Sequence, residues 1–329
     1  MDRRQIWLSL ATLALFAVVP PLTVIFDQPF YMDMVARIMV FAIAAVSLDL
    51  ILGHGGMVSF GHAVYMGIGA YAVGILSYYG IDNGFLQIPL ALAASALIGL
   101  IFGAMSLRTS GVYFIMITLA FAQMLYFLAI SLEEFGGDDG MSSMRSEFAG
   151  LIDLNDAMHF YYLVFAVLAG VLFCLHRLVL SRFGMVIRAS RTNERRMQAM
   201  GFPTYRYKLA AFTIAGTICG LAGALFANLN EFVSPDVMHW THSGEIMIMV
   251  IMGGMGTLIG PVLGATAFLL LEEYLPQWME MAMTDAGEHW AIIMGPILIA
   301  IVLFGRGGIH ALLAASLGRN GNNGSKRDD

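Results

Sequence analysis

The 329-residue sequence is 59% hydrophobic and only 12% charged, where an ordinary soluble domain has about a quarter of its residues charged. Its mean hydropathy of +0.76 excludes a water-soluble globular protein. A bilayer core of about 30 Å takes roughly 20 apolar residues at about 1.5 Å per residue, so the length accommodates up to about ten helical spans and leaves nothing for a separate soluble domain. Apolar runs this long, with no two-residue alternation, also exclude outer-membrane strands. The expected fold class is all-α: a polytopic helical membrane protein with about eight to ten transmembrane segments.

Taken in chain order, the predicted spans are 6–25, 34–52, 61–79, 85–107, 111–132, 159–180, 209–230, 244–258, 259–275 and 290–304. No polar loop separates 244–258 from 259–275, so a broken or re-entrant helix competes there with two separate spans. The first stretch follows Arg3 and Arg4 and ends at Val18-Val19-Pro20-Pro21 without a small-residue cleavage pattern, which reads as a retained anchor. With ten spans, Arg3, Arg4, Arg108, Arg177, Arg182, Arg188, Arg191, Arg195, Arg196, Arg206, Lys208, Arg306, Arg319, Lys326 and Arg327 share one side, and only Arg37 and Arg145 fall elsewhere. Acids gather oppositely, at 133–156 and at 272–288. The bias of Lys and Arg toward cytoplasmic loops then predicts two cytoplasmic termini and an even number of spans.

The expected domain is a transmembrane unit over 1–317, with a basic cytoplasmic loop at 181–207 and a polar, Gly-rich tail at 318–329 of disordered composition. Within the loop, Arg191 to Met200 reads as one short helix that stops at Gly201, with Pro203 two residues beyond. The acidic connection 133–158, containing Gly136-Gly137-Asp138-Asp139-Gly140, reads either as a solvated connector or as a contact for an external partner. Cys174 and Cys219 lie in apolar runs and read as small core residues.

Three glycine clusters stand out. Gly53, Gly55 and Gly56 precede Ser59, Gly61 and His62, and Gly67, Gly69 and Gly74 follow. Such spacing permits either close helix packing or unwound backbone that faces a ligand. Gly256, Gly260 and Gly264 recur every four residues around Pro261, which removes a backbone donor and predicts a kink or break. Gly216, Gly220 and Gly223 read as packing. Asp49 and Glu245 are ionisable residues within apolar stretches, where charge is costly and marks either function or an interface. His62 reads either as a packing residue or as a proton relay. There is no H-E-x-x-H, no credible Ser-His-acid set and no phosphate-binding loop, since Lys208 and Lys326 are the only lysines and neither follows a Gly-x-x-x-x-Gly run. Energy for uphill transport must then come from a partner or an ion gradient.

The stretch from Ser47-Leu48-Asp49 through Gly53-His54-Gly55-Gly56-Met57-Val58-Ser59-Phe60-Gly61-His62-Ala63 to Gly67-Ile68-Gly69-Ala70-Tyr71 resembles the signature of branched-chain amino acid ABC importer permeases, the larger of the two permease subunits in particular. Similar in the family's order are Arg108-Thr109-Ser110-Gly111-Val112-Tyr113-Phe114, Ser181-Arg182-Phe183-Gly184, Arg188-Ala189-Ser190-Arg191-Thr192-Asn193-Glu194 and the 253–264 run. Asp49 stands where Asn is common, Arg195, Arg196 and Met197 follow the glutamate where Ala-Ala is frequent, and Phe304-Gly305-Arg306-Gly307-Gly308-Ile309 replaces a Pro-containing ending.

The resemblance implies a subunit of the bacterial inner membrane that works with a second, homologous permease, two cytoplasmic ATPase subunits and a periplasmic substrate-binding protein. Its substrate would be a branched-chain or other hydrophobic amino acid, or a related small molecule. It implies lipid contact, no nucleic acid and no cofactor of the chain's own, ATP being bound by the partners. Arg191, Asn193, Glu194, Arg195, Arg196 and Gly201 take the place of the helix that docks on the ATPase. Asp49, Gly53, Gly56, Ser59, Gly61, His62, Gly256, Gly260, Pro261 and Gly264 are the expected path or gating residues. The alternatives are a stand-alone ion-coupled transporter using Asp49, His62 and Glu245, and an intramembrane enzyme, for which no nucleophile and base can be placed at one depth.

Overall fold

The computed structural model describes residues 3–25, 30–148, 150, 153–282, 290–304 and 307–311. The predicted tail 318–329 lies outside them. The helices are α1 (Arg3–Ile25), α2 (Phe30–Asp49), α3 (His62–Tyr78), α4 (Gly84–Ser106), α5 (Val112–Ser131), α6 (Ala157–Leu180), α7 (Arg182–Thr192), α8 (Glu194–Ala199), α9 (Thr204–Asn230), α10 (Trp240–Gly253), α11 (Gly260–Ala282) and α12 (Trp290–Phe304). All but α7 and α8 fall on the predicted apolar stretches, and the chain is a multi-pass membrane protein.

Burial sorts these helices. From Ile38 to Gly53 every residue is buried, which puts α2 at the centre, packed by α6, α9, α10 and α11. By contrast α4, α5 and α6 are as apolar but largely exposed, because lipid covers what protein does not. Cys174 belongs to that outer surface, which corrects its reading as a core residue; Cys219 is fully buried. Packing of α9 on α3 depends on absent side chains. A Cβ at Gly69 would collide with the Gly220 carbonyl, and one at Gly223 with the Met66 carbonyl.

The α4–α5 turn with Arg108 and the α7–α8 segment lie at one end of the bundle, the basic end. At the other, acidic end, residues 133–148 are neither a free connector nor open to solvent throughout: they fold into a cap. Short strand β1 (Met141–Ser142) pairs antiparallel with β2 (Phe232–Val233). The Ser146 amide donates to Asn228 Oδ1 (2.7 Å), and the Glu147 amide to the Asp82 carbonyl (2.6 Å). Arg145, predicted from sequence to lie away from the other basic residues, is explained by this cap. Its Nε lies 2.8 Å from Glu231 Oε1, its Nη1 donates to the Leu154 carbonyl at 2.8 Å, and it stands over the Phe160 ring. Arg145→Met is expected to speed amide exchange across 143–147 about tenfold or more, the worth of one charge-assisted bond. Exchange mass spectrometry checks this, and unchanged rates would mean that the cap holds without Arg145.

The single helix expected from Arg191 to Met200 is instead the end of α7 and the whole of α8. Asn193 breaks them: its backbone is extended (φ −156°) and its Oδ1 accepts the Arg196 amide at 3.0 Å, capping α8. Gly201, at φ +85°, then ends α8 as expected.

The 240–275 region forms two helices, α10 and α11, joined by a turn at the basic end. After α9 the chain turns back along α3 through β2 and one 3-10 turn, Pro235–Met238, with Val233 against Gly74 and Met238 against Gly67. Only then does α10 begin, beside Phe60. With 14 residues it spans about 21 Å, short of a bilayer core. The break lies at 254–259, just ahead of Pro261, which sits harmlessly in the first turn of α11. Gly254 (φ +116°) and Gly256 (φ +75°) make that turn, and Thr257 Oγ1 accepts the Gly260 amide (3.1 Å).

Candidate functional site

The site is built where two interrupted helices meet. At the basic end α2 loosens into one π-helical turn, Leu50–His54, a deformation that recurs at functional sites. Beside it lies the 254–259 turn between α10 and α11. Asp49, 3% exposed, accepts the Gly256 amide through Oδ1 at 2.8 Å, and its Oδ2 stands 3.5 Å from His54 Nδ1. A side chain at Gly53 would strike both the Asp49 carboxylate and the Gly256 amide. The two glycine clusters, about 200 residues apart in sequence, are therefore one junction. On its far side the 254 turn is closed by Gly307 and Gly308, which lie against Gly253 and Gly254 too closely for any Cβ. That contact is the physical sense of the glycines in the chain's ending.

Arg191 joins this junction from α7. Its guanidinium donates to the Gly53 carbonyl, a group that the π turn leaves open, and its stem lies over Gly56, which has φ +69°. The following segment is fixed to the bundle by Glu194, which accepts from Lys208 Nζ (2.6 Å) and Thr204 Oγ1 (3.1 Å), and by buried Met197. Asn193, Arg195, Arg196 and Gly201 stay exposed on the surface of α8 and its end. A cavity of about 590 Å³ opens between these parts, lined by Gly56, Val58, Arg108, Arg191, Glu194 and Lys208 among others.

One level deeper, Met57–Gly61 runs without helical hydrogen bonding within the bundle, which is tolerated only where protein or water covers it. Three amides of this run and of the first turn of α3 are met by side chains, one of them within the run itself. The Phe60 amide donates to Thr118 Oγ1 (3.3 Å), the Gly61 amide to Ser59 Oγ (3.3 Å) and the Ala63 amide to Ser243 Oγ (3.0 Å). Thr118 lies six residues into α5, about 9 Å from its start. His62 is fully buried, with Nε2 2.8 Å from Ser47 Oγ. Gly260, Pro261 and Gly264 lie away from this layer, on the α10–α11 contact, where a Gly264 Cβ would strike the Met249 carbonyl.

Of the predicted path residues, Asp49, Gly53, Gly56 and Gly256 thus come together with Arg191; Ser59, Gly61 and His62 form the layer above; and the α11 glycines pack helices. Asp49, His62 and Glu245 sit in three separate networks, Glu245 facing His242 at 2.7 Å. Sequence reading missed Thr118, Ser243 and Lys208 as partners. Nothing local states which groups these side chains meet, and only tertiary contact assigns them.

Residues 30–302 match a protein family described as a branched-chain amino acid transport system permease component. The chain belongs to this permease family. It is 30% identical over 288 residues to the high-affinity branched-chain amino acid transport system permease protein LivM of Salmonella typhimurium, covering 80% of this chain and 67% of that one. To the probable LivM protein of Methanocaldococcus jannaschii it is 24% identical over 309 residues, covering 80% and 85%. The LivH permease of Escherichia coli is 21% identical over 287 residues, covering 81% and 91%, so a second homologous permease type exists beside the LivM type. No solved structure matches the chain. As a family permease it is a transport subunit without a catalytic domain, and in this family ATP is handled by partner ATPases.

Proposed function

We propose that this permease forms half of a path that imports branched-chain or other hydrophobic amino acids across a bacterial inner membrane. Its basic end and both termini face the cytoplasm, in keeping with the Lys and Arg bias. Its partners are a homologous second permease, two ATPases, one of them docked on α8, and a periplasmic binding protein that delivers the solute at the acidic end. The observation that carries the reading is the hydrogen bond from Arg191 to the Gly53 carbonyl, because it ties the segment that would meet an ATPase to the interrupted turn of the central helix. Rigid-body movement of α7 and α8 would pull on that turn, and through Asp49 and Gly256 on the α10–α11 hairpin, so that the ends of the path open alternately.

The test is affinity purification of the tagged chain from its native membrane in mild detergent, followed by ATPase assay and leucine uptake after reconstitution. The expected result is recovery of a second permease and an ATPase, with the ATPase lost when Glu194→Ala is combined with Gly201→Val. A chain that purifies alone and moves solute down an ion gradient would overturn the reading.

A further inference from the structure

Four rings form a track in the middle of the bundle. Phe60 lies 6.4 Å from Trp240, Trp240 lies 5.9 Å from His239, and His239 lies 5.2 Å from Tyr126 (centroid distances). They come from three elements: the non-helical run before α3, the start of α10 and the outer half of α5. All four are partly open, Trp240 most of all at 40% exposure. An aromatic belt at a membrane interface is the ordinary reading of Trp and Tyr, but the depth is wrong. Phe60 precedes α3, whose 17 residues rise about 25 Å from there to the acidic end. There Tyr78 and Tyr79 pack on Phe135, which is where such a belt belongs. Phe60 stands two residues beyond Val58, which lines the cavity at the basic end. From the level of Thr118 to that of Tyr126 is eight residues of α5, about 12 Å.

We infer that Phe60, Tyr126, His239 and Trp240 form the contact site for the apolar side chain of the transported amino acid, between the acidic end and the cavity. This rests on the importer reading above. Rings suit the task because they offer broad apolar faces with few rotamers to freeze. A path also needs contacts strong enough to select and weak enough to release. Gly244, one turn along α10 from Trp240, leaves the room: a Cβ there would meet only the Phe60 ring edge, at 4.0 Å. Gly244→Val would put two methyl groups into that room, beside the Phe60 ring.

The experiment uses the complex of this chain with its second permease and ATPases, reconstituted with the binding protein and given photo-leucine, the diazirine analogue of leucine. Illumination during turnover is expected to place adducts on Phe60, Tyr126, His239 or Trp240. Gly244→Val is expected to lower labelling and leucine uptake about tenfold, the usual order for a pocket contact of this size, while basal ATP hydrolysis stays unchanged. Leucine uptake with adducts confined to other residues, or Gly244→Val taking up leucine normally, would overturn the aromatic site alone. No leucine uptake by the unaltered complex would overturn the substrate reading and this site with it.

Discussion

Arg191→Met is expected to abolish most leucine uptake while the ATPases continue to turn over. The substitution keeps an apolar stem over Gly56 but removes the charged donor to the Gly53 carbonyl. A charge-assisted hydrogen bond of this kind is worth about 1.5–3 kcal/mol, so coupling should weaken about ten- to a hundredfold. Hydrolysis should persist because α8 keeps its own anchors, Glu194 to Lys208 and Thr204. The readout is uptake per ATP hydrolysed in proteoliposomes. Uptake and hydrolysis falling together, with the ATPases no longer co-purifying, would place Arg191 in docking rather than in transmission.

The second large effect is expected at Asp49, where two substitutions separate two roles. Asp49→Leu removes the charged acceptor of the Gly256 amide, a bond worth about 1.5–3 kcal/mol, and should cut uptake about tenfold or more. Asp49→Asn retains an amide oxygen at the same place and should transport within about threefold of the unaltered chain. Neutralising the charge is therefore nearly harmless and removing the acceptor is not. An ion-coupled carrier would show the opposite, with Asp49→Asn inactive. The geometry asks for an acceptor at this position rather than a charge.

Much of the fold is legible from hydropathy alone, since lipid demands apolar helices and each predicted stretch holds one, α10 being the short exception. The glycines of α3 and α9 announced close packing for the same elementary reason. Less legible was what each break does. Pro261 pointed to an interruption, but the proline fits the first turn of α11 and the true break falls at Gly254–Ile259 because two glycines there take positive φ. Asn193 divided a segment that reads as continuous helix, since a cap competes with helix interior only when the backbone turns extended. The junction of Asp49, Gly53, Arg191 and Gly256 could be named residue by residue yet not assembled. Nothing local states that residues 53 and 256 touch. Arg145 seemed misplaced until the cap showed the carbonyl, carboxylate and ring that surround it.

The short α10 bears on how the protein is made. At about 21 Å it cannot cross a bilayer by itself, and it starts beside Phe60 rather than at the surface. A nascent chain ending at Gly253 would thus offer the insertion machinery a segment with no stable resting place. Residence in the membrane has to await α11, whose Gly260 and Gly264 let the two helices close on each other as a hairpin. Biogenesis at this point is a paired event, committed only when the later helix has emerged from the ribosome.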